Sequence, residues 1–148
     1  MGENIKVTGT AEFRAHLDFV MIAVKAANRE IVVAAQTLAE ATAKKQFTQS
    51  HSRGTATNSD AGSPPSVVTG TLRRSIQRGT PEEIAGGWRG SVFPSVVYAL
   101  IQELGGATGR GGSTILPARP YIGPTHHEVT PKVRALAIKA WDRATHQK

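Results

Sequence analysis

The sequence lacks cysteine, has few aromatic residues and contains no long apolar run. The absence of cysteine excludes disulfide bonds, thiolate chemistry and zinc sites built on cysteine. Aromatic residues make up 5% of the chain, so the core must depend on Ala, Val, Ile and Leu, and we expect neighbouring subunits to supply part of the stability. The first ten residues, MGENIKVTGT, hold no apolar segment, so we expect neither a signal peptide nor a membrane span.

Acidic residues are also scarce. Against 18 Lys and Arg there are 11 Asp and Glu, which leaves a net charge of +7. A charge of this size favours an acidic partner, nucleic acid or an acidic protein surface, over a basic protein without such a partner. Trp88 lies beside Arg89 and is suited either to stack on a single strand or to fill the core. Candidates for charge that faces DNA or a subunit interface are Arg73, Arg74, Arg78, Arg89 and Arg110.

No residue pattern typical of an enzyme is present. Catalysis requires a nucleophile, a base and orienting groups that converge, and the few acidic residues here are scattered along the chain. His126, His127 and Glu128 lack the spacing of a zinc motif, so a place in the first turn of a helix explains them better. The Gly-rich run GGATGRGGS lacks the Lys and the context of a phosphate-binding loop. We therefore expect no catalytic activity, no cofactor and no metal site.

A long helix is predicted for the N-terminal third. Between Ala11 and Gln49 there is neither Gly nor Pro, and Thr10 can cap the first turn. A helix of about 38 residues would be roughly 57 Å long, so part of it must overhang the domain or pack on a neighbour. Two shorter helices broken near Asn28 are the alternative. Apolar residues at spacings of three and four predict one buried stripe: Phe13, Leu17, Val20, Val24, Ala27, Ile31, Ala34, Leu38 and Ala41.

Two segments are predicted to be loops. Residues 50–66 are polar, contain Gly and Pro and lack periodicity, which indicates a flexible loop. Such a loop either becomes ordered on assembly or is a tolerated surface insertion. Residues 105–113 are rich in Gly and are expected to hold no regular structure.

The remaining elements are short and lead to a second long helix. Residues 67–78 suit a helical turn or the start of a strand, and strands are predicted at 83–88 and 90–93 around a turn at 89–90. Ser95 can cap a short helix, residues 114–116 predict a brief strand, and a helix is predicted after Pro124. The fold class is therefore α+β: one domain, residues 1–148, with a long N-terminal helix and a C-terminal helix packed on a small, mainly antiparallel sheet.

Three segments together resemble a known family. They are TGTLRRSI at 69–76, VVYALIQELGG at 96–106 and LPARPYIGP at 116–124. Their order and spacing are similar to those of the small tail-component, or tail-completion, proteins of long-tailed phages, which are related to the minor tail protein Z of phage lambda. The resemblance covers nearly all of the chain and departs from the pattern in the Gly-rich insertion at 105–113. The matching residues are Gly70, Leu72, Ser75, Ile76, Tyr98, Ala99, Glu103, Gly105, Pro117, Arg119, Pro120, Tyr121 and Pro124.

The resemblance implies a structural virion protein of the neck, which assembles in the host cytoplasm. It implies a homo-oligomeric ring of six subunits that completes the tail and joins it to the head–tail connector. Such a ring contacts the tail terminator or tail-tube proteins, and genome DNA passes through its lumen. A tail terminator that caps the tail tube is the alternative within virion assembly. A non-specific nucleic-acid-binding accessory protein is the alternative outside it.

Two charged residues of these motifs suggest one specific contact. Arg119 lies in a stiff segment between Pro117 and Pro120, and Glu103 is its candidate ionic partner. Two independent surface charges are the alternative. If the two side chains pair, reversal of both charges should restore the assembly that either single reversal destroys.

Overall fold

The fold combines two long helices with short antiparallel strands. A computed structural model of the chain describes residues 9–52 and 59–146. The predicted α+β class is confirmed, although the strands within these residues form three two-stranded antiparallel sheets in place of one. The elements in chain order are α1 (Thr10–Lys45), α2 (Thr71–Ser75), β1 (Ile76–Arg78), β2 (Glu82–Ile84), β3 (Gly87–Arg89), β4 (Val92–Pro94), α3 (Ala99–Leu104), β5 (Gly106–Thr108), a 3-10 turn (Arg110–Gly112), β6 (Thr114–Leu116) and α4 (Ile122–Thr145).

Helix α1 is continuous, so the alternative of two helices broken near Asn28 is wrong. Its 36 residues contain neither Gly nor Pro, and at 1.5 Å per residue they make a rod of roughly 54 Å. The helix begins one residue earlier than expected: Gly9, with a φ of 85°, precedes the first turn, and Thr10 is already helical. Thr10 is therefore not the cap.

The predicted apolar stripe of α1 is buried only in part. Its members between residues 20 and 31 and Leu38 are buried or half-buried, but the others are exposed. The buried positions near the end of the helix are instead Gln36, Thr42 and Ala43. A strict seven-residue repeat drifts by about 20° per heptad around a straight helix. The predicted stripe therefore rotates away from the packed face after a few turns.

Helix α4 runs antiparallel to α1 and is shorter. Near the end of α4, the Trp141 Nε1–H donates to Asn28 Oδ1 at 2.7 Å, while Ala43 and Tyr121 lie in one core cluster near its start. The two helices thus overlap from about residue 23 of α1 onwards. About 13 residues of α1 extend roughly 20 Å beyond α4, and we call this segment, residues 10–22, the overhang.

Residues 76–94 form one bent β-hairpin. Strand β1 pairs with β4 and β2 pairs with β3, and the register shifts by one residue between the two pairs. The turn lies at Gly86, which has a φ of 85°, so the predicted turn at 89–90 is wrong. Gly90 instead passes close to α1, because a Cβ at this position would lie 2.6 Å from Val32 Cγ1. The glycine at position 90 is needed for close packing and not for a turn.

The Gly-rich segment 105–113 contains regular structure, so the prediction of a structureless loop is wrong. Strand β5 pairs antiparallel with β6, and the 3-10 turn between them closes a second hairpin. Gly109 and Gly111 have φ values of 80° and 67°, a backbone conformation that favours glycine. The abundance of glycine thus builds the tight connection of a hairpin. The predicted strand at 114–116 is confirmed.

The segment 50–66 is described only at its two ends, because residues 53–58 lie outside the described residues. Ser50 forms a parallel bridge with Val67, and the Val67 N–H donates to Gln49 O at 2.7 Å. Ser59 and Pro65 are buried. The described ends of this segment are therefore anchored to the domain.

The middle of the chain follows the sequence prediction in outline. Residues 67–78 contain both alternatives, a helical turn in α2 and a strand in β1. Helix α3 begins at Ala99 and not directly after Ser95, whose N–H donates to Ser75 O at 3.0 Å. Helix α4 begins at Ile122, so Pro124 lies within its first turn and not before it. A proline is tolerated there because that N–H has no partner within the helix.

Within the described residues the core consists of two clusters, one of alanines and one that also contains large side chains. The smaller cluster lies between α1 and α4 and contains Ala27, Ala140 and Ala144. Such small side chains allow the two helix axes to approach closely. The larger cluster lies at the C-terminal end of α1 and contains Ala43, Phe47, Leu72, Ile76, Ala99 and Tyr121.

Candidate functional site

The motif residues converge at the C-terminal end of α1 and build its core. Leu72, Ile76, Ala99 and Tyr121 all belong to the larger cluster. Tyr121 is fully buried, and its ring centroid lies 5.1 Å from that of Phe47. These residues therefore determine how α2, α3 and α4 join α1, and they do not themselves form a contact surface.

Glu103 caps the N-terminus of α4 from a different helix. Its carboxylate accepts three backbone N–H groups, from Tyr121 at 2.8 Å, Ile122 at 3.0 Å and Gly123 at 2.9 Å. The first N–H groups of a helix lack partners within the helix, and the helix dipole favours a negative charge at this end. One side chain of α3 thus satisfies three of these donors and locks the two helices together.

The proposed pairing of Arg119 with Glu103 is wrong. The carboxylate of Glu103 is directed at backbone N–H groups, and Arg119 makes no ion pair within the described residues. Arg119 contributes through its backbone instead, since its N–H donates to Gln102 O at 2.8 Å. The guanidinium Nε of Arg119 is buried and has no hydrogen-bond partner among the described residues.

Two motif glycines occupy conformations that other residues adopt only with strain. Gly70 precedes α2 with a φ of 73°. Gly105 ends α3 with a φ of 70°, and a Cβ there would lie 2.6 Å from Ala118 N. Gly105 thus lets α3 pass against the segment that holds Pro117 and Pro120, which lies between β6 and α4.

Two motif side chains have less central positions. The Ser75 hydroxyl donates to Leu72 O at 2.7 Å and so stays within α2. Tyr98 precedes α3 and is exposed. Neither the hydrogen bond of Ser75 nor the exposed position of Tyr98 indicates a chemical role.

The five candidate arginines lie on four different elements: on α2, on two strands of the bent hairpin and at the tip of the second hairpin. Arg78 pairs with Glu40 at 2.8 Å and also donates to Thr37 Oγ1 at 2.7 Å. Arg89 faces Glu82 at 3.5 Å on the surface. Arg73, Arg74 and Arg110 are exposed and make no ion pair within the described residues.

Glu40 of α1 pairs with one of these arginines, Arg78, and with Lys44 of its own helix. A hydrogen bond from Lys44 and the positive charges of Lys44 and Arg78 hold the pKa of Glu40 below its usual value, against the opposing effect of burial. The ion pair between Arg78 and Glu40 attaches the bent hairpin to α1. It also compensates much of the positive charge with which Arg78 could bind a partner.

Trp88 is half-buried, and the guanidinium of Arg29 lies 5.7 Å from the centroid of its ring. A cation at this distance from the ring is in cation–π range. Strand β3, which carries Trp88, contacts α1. This position favours the packing alternative over stacking on a single strand.

Two polar contacts that join α1 to the rest of the fold were not predicted. Gln36 is buried, and its Nε2 donates to Gly79 O at 2.8 Å and Ser91 O at 3.0 Å, which ties α1 to the bent hairpin. Asn28 receives the Trp141 N–H from α4. For both Gln36 and Asn28, the sequence signal is a polar residue that follows two alanines in a long helix.

The described residues contain neither a metal site nor a membrane-spanning helix. The rings of His126 and His127 meet edge to face at 5.7 Å in α4. In the part of the chain that the structure describes, no group of three or more His, Asp or Glu side chains could hold a metal ion. No described helix is long and apolar enough to cross a membrane.

The overhang presents apolar side chains to solvent. Val20 is half-buried, while Phe13, Leu17 and Met21 are 62%, 44% and 59% exposed. Helical periodicity puts these four residues on the same face as Val24, Ala27 and Ile31, which pack against α4. We call these four residues the overhang patch.

A second apolar surface lies at the opposite end of α1. Val97, Leu100 and Leu104 on and before α3 are 98%, 69% and 67% exposed. Beside them is a concavity of about 360 Å³. We call these three residues and the concavity the α3 patch. Ala99 of α3 packs with Ala43 and Phe47, so this patch is separated from the overhang by roughly 30 Å along α1.

Comparison with known proteins found no matching family model, no similar curated protein and no similar solved structure.

Proposed function

We propose that the chain is a structural ring subunit in the neck of a long-tailed phage, where it completes the tail and joins it to the head–tail connector. The main support for this proposal is the overhang. This helical segment is roughly 20 Å long, and no described residue of the chain covers its apolar face. Contiguous exposed apolar side chains of this kind are typical of interaction surfaces. The order of the three sequence motifs supports the phage family as the setting.

Two unlike apolar surfaces at opposite ends favour a ring over a symmetric dimer. The overhang patch projects from one end of the subunit, and the α3 patch with its concavity lies at the other. Contact between unlike surfaces repeats from one subunit to the next and forms a ring when the rotation closes. We propose that the overhang patch of each subunit packs on the α3 patch of its neighbour, with six subunits in the ring, the number that the resemblance implies.

The energetics of this contact explain why assembly would depend on other proteins. Burial of Phe13, Leu17 and Met21 contributes about 1.5–3 kcal/mol each. The cost of association is on the order of 4–15 kcal/mol, so the net binding free energy of this contact alone is close to zero. We therefore expect isolated subunits to be mostly monomeric and to form rings when the connector or tail tube supplies a second contact.

The free arginines have a role in this arrangement. Arg73, Arg74 and Arg110 would face genome DNA in the lumen or an acidic surface of the connector. The protein would reside in the virion after assembly in the host cytoplasm. In this role it breaks no covalent bond and needs no cofactor or metal.

The same arginines are the one observation that favours a nucleic-acid-binding accessory protein. That function predicts that the monomer binds DNA with an affinity that falls steeply with salt. The ring proposal predicts weak binding by the monomer, because the charges are dispersed over separate elements. A tail terminator would use the same two apolar surfaces, and its position at the end of the tube distinguishes it in a reconstruction of the virion.

Complementation of a gene deletion tests the proposal. Without the chain, electron microscopy of lysates should reveal DNA-filled heads and separate tails. The double variant Phe13→Ser/Met21→Ser should fail to restore joined particles, whereas Phe19→Ser, which changes a half-exposed residue on another side of the same helix, should restore them. Joined, infectious particles that lack the chain would contradict the proposal.

A further inference from the structure

An apolar groove lies between α1, the first half of α4 and the bent hairpin. Its volume is about 400 Å³, and from Val32 to Ala43 it extends roughly 16 Å along α1. Small and β-branched side chains provide most of its walls: Val32, Ala35, Ala39, Ala43, Gly90, Val92, Val129 and Val133. Walls of this kind leave room for larger apolar side chains from another chain.

Three polar side chains of the wall have partners inside the subunit. Gln36 Nε2 donates to Gly79 O at 2.8 Å and to Ser91 O at 3.0 Å. The hydroxyls of Thr125 and Thr130 each donate to a backbone oxygen one turn earlier in the chain, at 2.6 and 2.7 Å. No Asp, Glu, Lys or Arg is among the described residues that line the groove. Apolar side chains are therefore the groups that gain most from entry.

The proposed contact between the overhang patch and the α3 patch is small for a stable interface. It joins four residues of one subunit to three of the next, whereas a stable interface takes roughly 20–30 residues from each partner. The groove adjoins the α3 patch, since Ile122 lines both concavities. An overhang that is seated on the α3 patch thus borders the groove, and entry into the groove enlarges the buried area.

The direction of the overhang determines which of its side chains reaches the groove. In the proposed ring the overhang points away from its own subunit, so its outer residues extend farthest over the neighbour. Phe13 lies roughly 12 Å farther out than Met21. With Met21 at Leu100 of the α3 patch, Phe13 would lie past Ile122 and over the groove. Phe13 is 62% exposed, and aromatic side chains seated in pockets often dominate the energy of an interface.

We propose that Phe13 of each subunit inserts into the groove of the next subunit, while Met21 stays on the α3 patch. The occupant of the groove is thus a second copy of this chain, and Phe13 is the anchor of the contact. Its ring packs against the small residues Ala35 and Ala39, which leave space for it. This inference rests on the proposed ring and adds the direction in which the overhang crosses its neighbour.

Cross-linking in purified particles tests this direction. Thr130 lines the groove and is exposed, and the reagent is a bis-maleimide shorter than the roughly 12 Å between Phe13 and Met21. Phe13→Cys/Thr130→Cys should give a ladder of oligomers, and the matched control Met21→Cys/Thr130→Cys should stay monomeric. A ladder from Met21→Cys/Leu100→Cys without one from Phe13→Cys/Thr130→Cys overturns this inference and leaves the ring intact. No ladder from either pair, in particles that contain the chain, contradicts both.

An exchange of side-chain size provides a second test, which remains valid if Phe13→Cys prevents assembly. Ala39→Phe fills the groove and should lower the yield of joined particles about tenfold or more, because Phe13 can no longer enter. Ala39→Phe/Phe13→Ala should restore the yield. Ala34→Phe, the same change at an exposed position of α1 outside the groove, should leave the yield unchanged.

Circular dichroism of the purified variants establishes whether they are folded, and the cross-link decides if Ala39→Phe unfolds the chain. The inference is overturned if folded Ala39→Phe joins particles as well as Ala34→Phe does, or if Phe13→Ala fails to rescue it. A cross-link from Thr130→Cys alone to a different virion protein would assign the groove to that partner and would also overturn the inference.

Discussion

The carboxylate of Glu103 accepts the backbone N–H of Tyr121 at 2.8 Å. This bond, with two more from the next residues, fixes where the last helix begins. It also determines the position of the Tyr121 ring, which fills the centre of the larger core cluster. The sequence segments 96–106 and 116–124, which contain Glu103 and Tyr121, are therefore joined by a structural contact.

Removal of this carboxylate should destabilise the fold more than loss of a surface charge. Glu103→Ala leaves three N–H groups without their acceptor, and we expect the free energy of unfolding to fall by about 2–3 kcal/mol. Urea unfolding of the purified protein measures this. Glu128→Ala, which removes an exposed carboxylate that pairs with Lys132 on α4, is the matched control and should cost less than about 1 kcal/mol.

A charge swap separates this account from a Glu103–Arg119 ion pair. The double variant Glu103→Arg/Arg119→Glu should be no more stable than Glu103→Arg alone, because the lost bonds are to backbone N–H groups. Recovery of wild-type stability in the double variant would show that the two side chains do pair.

Stability should fall in alkali because of Tyr121. Burial, with smaller effects of Glu103 and Tyr98, raises the pKa of Tyr121 from 10.0 to about 12. Between these values the unfolded chain has lost the phenol proton and the folded chain has not, so stability falls as pH rises from 10 to 12 and is fully retained below pH 10. The loss across this window should be about 2–3 kcal/mol.

Tyr121→Phe isolates this effect, because it removes the titrating group and keeps the ring. The unfolding free energy of the variant should depend less steeply on pH across the same window. Equal slopes for the two proteins would mean that Tyr121 is not the group responsible.

Gly105 should tolerate no side chain. Its φ is 70°, and a Cβ there would lie 2.6 Å from Ala118 N and 2.7 Å from Leu116 O. Gly105→Ala should therefore lower the melting temperature and cost at least about 2 kcal/mol. Gly111 has a nearly equal φ of 67° with open space around it, so Gly111→Ala should cost only about 1 kcal/mol. If the two variants were equally stable, crowding at Gly105 would not matter.

The sequence predicts the large elements well because their signals are local. The absence of Gly and Pro between Ala11 and Gln49 favours one long helix over two, and its length predicts that part of it overhangs the domain or packs on a neighbour. The fold class follows from the order of the elements. Spacing along α1 does not predict which face is buried to the end of the helix, because small errors in periodicity accumulate over 36 residues.

Contacts between distant segments were harder to predict. Glu103 and Arg119 carry opposite charges, which suggests an ion pair, but the pattern gives no indication that α4 begins at Ile122 and offers its N–H groups. Gly90 reads as a turn residue, whereas its close contact with Val32 exists only in the folded protein. Likewise, His51, Ser59 and Arg119 come from separate parts of the chain and line one cavity of about 230 Å³ beside the larger core cluster.

Cross-linking within particles tests the proposed contact between subunits most directly. The chain has no cysteine, so Met21→Cys in the overhang patch and Leu100→Cys in the α3 patch can be introduced singly and together without background. After treatment of purified particles with a flexible bis-maleimide, the double variant should give a ladder that ends at about six subunits, and each single variant should remain monomeric. Dimers from Met21→Cys alone, or only monomers from the double variant in particles that contain it, would contradict a ring built from unlike ends.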